Sequence, residues 1–245
     1  MAKVTLIDYT GIGSSDALYA ARLLAFTKNT RLNMTPGGLD EWTETPAEKI
    51  LEEMAYMAST IPSSWEFVDV TFSIQDVTRA CAQQMTRTRN ASYAMQSQRV
   101  TDVGAATYRL SGPLDKVAMI DNAYREALVN YRELVANGVP LEDARGILPL
   151  NIHCNLIAKY NLRSFVELAR ARDSLRVQGE YVDIVRQMKA EVLRYWPWSA
   201  PFFELPNEKA VRLLEEVARE VDTTPGAPTG LKAKLAKAAD LLKKG

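Results

Sequence analysis

Histidine is almost missing from this sequence: His153 is the single example in 245 residues. One imidazole cannot build a histidine metal centre, and no Ser-His-Asp set surrounds it, so it reads as a structural residue. Cysteine is scarce too. Cys81 and Cys154 give neither a disulfide framework nor zinc-ligand spacing, a usage that suits a reducing cytoplasm. Cys81 reads as a small core residue rather than a reactive thiol. No apolar run reaches membrane-spanning length. The opening stretch, Met1 to Asp8, meets an acid too early for a signal peptide. Neither charge is in excess, with 30 Lys plus Arg against 30 Asp plus Glu. No global field therefore recruits nucleic acid or a membrane, and any anion must be held by local arrangement. Paired catalytic carboxylates and metal-ligand clusters are not evident either. Gly11 and Gly13 lack the lysine and third glycine of a phosphate loop and read as a turn.

What is present is a 47% hydrophobic chain long enough for one large domain or two small ones. Its periodicities predict an α+β fold, an antiparallel sheet flanked by helices. The strands are Val4–Asp8, Trp65–Ile74 and part of Leu148–Tyr160. A first helix, capped by Ser14 or Ser15, runs through Phe26. Residues 29 to 44 read as a loop. Thr45 caps a second helix, with Pro46 in its first turn and Glu48 closing the box, and it ends before Pro62. Asp76 caps a helix from Val77 to about Met85. Pro113 opens a long helix that Asn137-Gly138 ends near Ala136. Leu141–Arg145, Leu162 to about Leu175, and residues 178 to 195 complete the set, with Trp196-Pro197-Trp198 closing the last. Residues 207 to 220 read as a further amphipathic helix. The domain reading is a body over 1–222, a linker over 223–230 and a basic, lysine-rich tail over 231–245.

The chemistry concentrates between Arg87 and Arg99. This stretch holds three arginines, two serines, two glutamines and an asparagine, and its nearest carboxylates are Asp76 and Asp102. Unpaired guanidinium groups face water or hold an anion. Their forked geometry matches phosphate and carboxylate, and Ser and Gln complete an oxygen shell. Gln84 lies one turn earlier and can point the same way. Further along stand Arg145, Asn161, Arg163 and Arg172. Such a set binds a phosphorylated planar ligand but offers little to act as a base, so a cofactor would carry the reaction.

The spacing Arg87-Thr88-Arg89, seven residues, then Ser97 resembles the signature of the flavin-dependent thymidylate synthases. Further matches follow in the family's order. They are Ala20-Ala21-Arg22, Val139-Pro140, Ala144-Arg145, Leu148-Pro149-Leu150-Asn151, Asn161-Leu162-Arg163-Ser164, Arg172 and Trp196-Pro197-Trp198. The resemblance covers roughly residues 1 to 205.

The resemblance implies FAD-dependent transfer of a one-carbon unit from methylene-tetrahydrofolate to C5 of dUMP, forming dTMP, with NADPH regenerating the flavin. It implies a homotetramer with active sites shared between subunits. Gln84, Arg87, Gln96, Ser97, Gln98, Arg99, Arg145 and Arg172 would hold the pyrimidine deoxynucleoside monophosphate, with Arg172 near the base as the catalytic residue. Arg87, Thr88, Arg89, Asn161 and Arg163 would hold FAD. No metal is implied. The sequence also departs from the family. Thr88 stands for a His, Met95 for a Glu, Glu167 for an Asn, and upstream histidines are replaced at Ile61 and Phe67. Two other readings stay open: a paralogue that methylates or hydroxymethylates another pyrimidine nucleotide, and a non-catalytic nucleotide-binding protein that lost its flavin.

Overall fold

The computed structural model describes residues 2–28, 42–60, 62–172 and 179–204, with isolated positions beyond. Four strands form one antiparallel sheet in the order β1-β2-β4-β3. They are β1 (Lys3–Tyr9), β2 (Asp69–Thr78), β3 (Ala91–Met95) and β4 (His153–Asn161). Around them lie α1 (Tyr19–Thr27), α2 (Ala47–Met57), α3 (Arg79–Met85), α4 (Val117–Ala136), α5 (Leu141–Ala144), α6 (Leu162–Arg172) and α7 (Glu180–Tyr195). The α+β architecture expected from the periodicities is what the chain adopts.

Alternation explains the sheet. Val4 and Leu6 of β1, Val70, Phe72 and Ile74 of β2, and Leu156, Ala158 and Tyr160 of β4 are buried on one face. Their neighbours Thr5, Ser73, Asn155 and Lys159 turn to the other face, where they are half-buried or exposed. Helices α1, α2, α6 and α7 cover the apolar face with Leu24, Ile50, Met54, Phe165, Ile184 and Met188. Fully burying one such side chain contributes about 1.5–3 kcal/mol. The aromatic close, Trp196, Trp198, Phe202 and Phe203, seals the same core. A second, smaller core of Val103, Leu128, Tyr131, Ala144 and Ile152 fastens α4 and α5 to the sheet.

Several local expectations need correction. Trp65 and Phe67 belong to a 3-10 turn, Pro62–Phe67, rather than to a strand. Trp65 is drawn inward, its Nε1 donating to the Met57 carbonyl at 3.2 Å. The strand instead starts at Asp69 and runs on to Thr78 through a bulge after Ile74, where Asp76 takes φ 54°. Asp76 therefore sits inside a strand and caps nothing. The cap of α3 is Thr78, whose hydroxyl accepts from the Cys81 N–H at 3.1 Å. Serine does not start α1. Asp16 does the local work, accepting from the Leu18 N–H at 2.9 Å and from Arg22 Nε at 2.7 Å. The N-cap position of α2 is Pro46 rather than Thr45. Thr45 lends its carbonyl to the Arg22 guanidinium at 2.6 Å. The long helix fits its prediction, and Gly138 beyond its end takes φ +84°, where a side chain would be strained. Most of the 29–44 loop, Ile61, the 207–220 helix, the linker and the tail lie outside the described residues.

Candidate anion-binding site

The motif is not a plain loop, because β3 occupies its middle. Ala91 pairs with Tyr160 and Met95 with Leu156 of β4. The strand, about 13 Å long at roughly 3.3 Å per residue, thereby splits the motif into two groups.

At one end of β3 stand Arg87, Thr88 and Arg89. The register carries them toward Asn161 and Arg163, which follow Tyr160 at the start of α6. Arg87 and Arg89 are exposed and make no ion pair among the described residues. Gln84 is exposed one turn earlier, its carbonyl accepting from the Arg87 N–H at 3.3 Å. Asn161 and Arg163 are engaged within the chain. The Asn161 Oδ1 accepts from the Ser164 N–H at 2.8 Å, capping α6. Arg163 reaches Glu167 through Nε at 3.0 Å and Glu66 through Nη1 at 2.7 Å.

Thr88 turns inward. Its hydroxyl lies close to the phenols of Tyr93 and Tyr181. Tyr93 Oη donates to the Met85 carbonyl at 2.8 Å and lies 3.1 Å from Tyr160 Oη. Burial pushes all three phenols above their ordinary range, so they stay neutral and act only as hydrogen-bonding groups. The Tyr181 hydroxyl is buried and makes no hydrogen bond of normal geometry. Over the Tyr181 ring lies Arg172, its Cζ 4.6 Å from the centroid. Arg172 therefore approaches Thr88 within one chain, although the two stand on separate elements.

At the other end of β3 stand Gln96, Ser97, Gln98 and Arg99. Gln96 is fixed on both sides: its Oε1 accepts from the Asn155 N–H at 3.0 Å and its carbonyl from Arg79 Nη1 at 3.1 Å. The Ser97 Oγ accepts from the Arg99 N–H at 3.2 Å. Arg99 pairs with Glu142 at 2.8 Å, and Arg145 Nε donates to the Glu142 carbonyl at 3.1 Å. The structure thus brings Arg145 to the Ser97–Arg99 end of the motif, joined through α5. Gln98 is 7% exposed, and its Nε2 is buried with no partner among the described residues. A buried amide donor left unmade costs about 1–3 kcal/mol.

Residues that the motif did not flag complete the surroundings. Glu180, at the start of α7, accepts from Thr78 and lies 3.6 Å from Arg109. Tyr181 follows it. Neither sits in a spacing pattern that announces a role, since a Glu in a helix's first turn is ordinary and a helix tyrosine reads as core. His153 contacts Thr107 Oγ1 at 2.8 Å, and burial lowers its pKa, which keeps it neutral at pH 7. Burial, aided by Glu180, pushes the Cys81 thiol up to about 12, so it holds its proton. Among the described residues no group of His, Cys, Asp and Glu is placed to hold a metal ion. No helix among them is long and apolar enough to cross a membrane.

The donor set fits an anionic, planar ligand. Arg87, Arg89 and Arg172 carry charge that no carboxylate among the described residues neutralises, and Gln98 Nε2 is a buried donor with no partner among them. Nothing in the set is poised to abstract a proton from carbon.

The chain is similar to known proteins over most of its length. Residues 5–198 match the model of the thymidylate synthase complementing proteins. The flavin-dependent thymidylate synthase of Sulfurisphaera tokodaii is 35% identical over 202 residues, covering 80% of this chain and 75% of that one. The enzyme of the same name from Geobacter sulfurreducens is 34% identical over 209 residues, covering 81% and 84%. A crystal structure of thymidylate synthase X from Helicobacter pylori, determined with FAD and dUMP, shares the fold at a TM-score of 0.63 and 18% identity, covering 83% of this chain and 98% of that one. With the match spanning most of the chain, the protein belongs to the thymidylate synthase complementing protein family.

Proposed function

We propose that this protein is a flavin-dependent thymidylate synthase that forms dTMP from dUMP. Methylene-tetrahydrofolate is the carbon donor and NADPH the reductant. The observation that carries this reading is the set of cations without carboxylate partners among the described residues, Arg87, Arg89 and Arg172, in a chain of this family. FAD supplies, when bound, the redox chemistry that no side chain here can perform.

The chain's own residues bind and orient. Arg87, Ser97, Arg99 and Arg145 grip the 5′-monophosphate, with Gln84, Gln96 and Gln98 adding neutral contacts. Gln98 Nε2 gains through the nucleotide the partner it lacks among the described residues. Arg172 faces the pyrimidine and stabilises charge that develops on its carbonyl oxygens. Thr88, Arg89, Asn161 and Arg163 lie on the FAD side, with Arg87 serving both ligands. Arg163 holds its position through Glu66 and Glu167.

Within one chain β3 stands between Arg87 and Arg99. A homotetramer that places one end of β3 against the other end from a neighbour completes each site. The free thiols suit the reducing cytoplasm in which such an enzyme works.

A non-catalytic nucleotide-binding protein is the second reading. It is favoured by the engagement of Asn161 in the α6 cap and of Arg163 in two ion pairs. The test is the absorption spectrum of the purified protein followed by product mass in a complete assay. Bound flavin and a product heavier than dUMP by one CH2, a methyl in place of hydrogen, are expected. A colourless protein that binds dUMP would establish the second reading. A product carrying hydroxymethyl, or one made only from another pyrimidine nucleotide, would make it a paralogue.

A further inference from the structure

Arg172 lies over Tyr181 within cation–π reach, at 4.6 Å from guanidinium carbon to ring centroid. It makes no ion pair among the described residues, so no carboxylate among them fixes its direction. The ring beneath it is held firmly. Tyr181 is 5% exposed and belongs to the principal core. The preceding residue, Glu180, anchors the first turn of α7 by accepting two hydrogen bonds from Thr78, at 3.0 Å from its N–H and 2.6 Å from its hydroxyl. Thr88 of the motif lies beside the Tyr181 hydroxyl. A rigid ring thus links the arginine that faces the base to the arginine-rich turn that faces the cofactor.

A long cationic side chain at a half-buried position loses several rotamers when it acts, and an aromatic platform removes part of that loss in advance. A planar guanidinium stacks on a ring while its edge N–H groups still point outward in a fork. An ammonium could not keep both contacts in the same plane.

We propose that Tyr181 is the positioning residue of Arg172: its ring, anchored through Glu180 and Thr78, presents the guanidinium edge to the pyrimidine. This inference rests on the nucleotide site proposed above. Tyr181 itself touches no substrate in this scheme and acts only through Arg172.

The test is dUMP binding by calorimetry in the full-length protein, with kcat and KM measured beside it. Arg172→Ala should weaken dUMP about tenfold or more. Tyr181→Leu should weaken it about tenfold, and Tyr181→Phe, which keeps the ring, should restore nearly all of the affinity. The double variant Tyr181→Leu, Arg172→Ala should bind no worse than Arg172→Ala alone. Phenylalanines carrying increasing fluorine at position 181 keep the volume while weakening the negative ring face, so affinity should fall stepwise along that series. A flat fluorine series, or a double variant weakened by the sum of its parts, would overturn the platform while leaving the nucleotide site intact. Wild-type dUMP affinity in Arg172→Ala would overturn the site assignment and the platform together.

Discussion

Glu180 accepts two hydrogen bonds from Thr78 across 102 residues of sequence: Oε1 accepts the Thr78 N–H at 3.0 Å, and Oε2 the hydroxyl at 2.6 Å. The same hydroxyl accepts from Cys81 N–H. One carboxylate therefore ties the end of β2, the start of α3 and the start of α7 together. Thr78 is 3% exposed, so water does not replace the lost partner. Glu180→Ala should destabilise the protein by about 1–3 kcal/mol, and Glu180→Gln by less because one carbonyl acceptor remains. Urea unfolding measures both. An alanine variant as stable as wild type would show that this tie is dispensable.

The two thiols predict a pH dependence. Cys81 rises from the usual 9.0 to about 12 in the folded chain, chiefly through burial, and burial raises Cys154 as well. A group with a raised folded pKa contributes stability that is fully present below its unfolded pKa. That contribution is lost as pH climbs through the folded value. Stability should therefore fall between about pH 9 and pH 12, as the unfolded chain releases protons that the folded chain keeps. A Cys81→Ala, Cys154→Ala variant should fall less over that window and keep most of its activity. A folded double variant with no activity would mean that a thiol attacks the base.

Much of the scaffold was legible from the chain. Val70, Phe72 and Ile74 announce β2 by strict alternation, and the apolar period of α4 locates that helix to within a few residues. The errors came where long-range partners outweigh local preference. Asp76 looks like a helix cap, yet pairing of β2 with β4 draws the strand past it. Ser14 looks like the start of α1, yet Arg22 recruits Asp16 instead. Thr88 reads as a ligand contact, and its inward turn depends on Tyr93 and Tyr181, which no spacing connects to it. The motif identified the arginines. It could not reveal that β3 divides them, because Ala91 to Met95 is too short and too mixed to stand out as a strand.

FAD affinity should depend on Arg89. Of the proposed cofactor cations, Arg163 is already paired with Glu66 and Glu167, whereas Arg89 is exposed with no ion pair among the described residues. Arg89→Ala removes a charge-assisted contact and should weaken FAD by about 1.5–3 kcal/mol. Flavin fluorescence titration reads the change directly. Unaltered affinity would place the flavin phosphates elsewhere.

Shared sites make a stoichiometric prediction. Arg87→Ala and Arg99→Ala disable opposite ends of β3, which in the proposed shared site come from different chains. Each variant alone should be nearly inactive. Unfolding and refolding them together should return part of the activity, because some mixed assemblies contain one undamaged site. Light scattering should show a tetramer for wild type. A stable monomer with full activity would end this account of the site.

The substrate follows from the donors. Arg87, Ser97, Arg99 and Arg145 offer forked and hydroxyl contacts suited to the two charges of a monophosphate. Arg172 is a donor-only side chain, so it favours the carbonyl oxygens of uracil over the amino group of cytosine. The proposed seat on Tyr181, 4.6 Å from the guanidinium carbon, would sharpen that choice by limiting how far the guanidinium turns from a mismatched edge. dUMP should therefore bind well ahead of dCMP and far ahead of deoxyuridine, which lacks the phosphate. Arg87→Ala should abolish most of the difference between dUMP and deoxyuridine, because the phosphate then loses a principal partner. Met95 stands where the family keeps an acceptor, so UMP is the ligand that tests sugar selectivity. Calorimetric titration of the four ligands decides the matter, and much tighter binding of dCMP than of dUMP would overturn the uracil assignment and make the protein a paralogue acting on cytosine nucleotides.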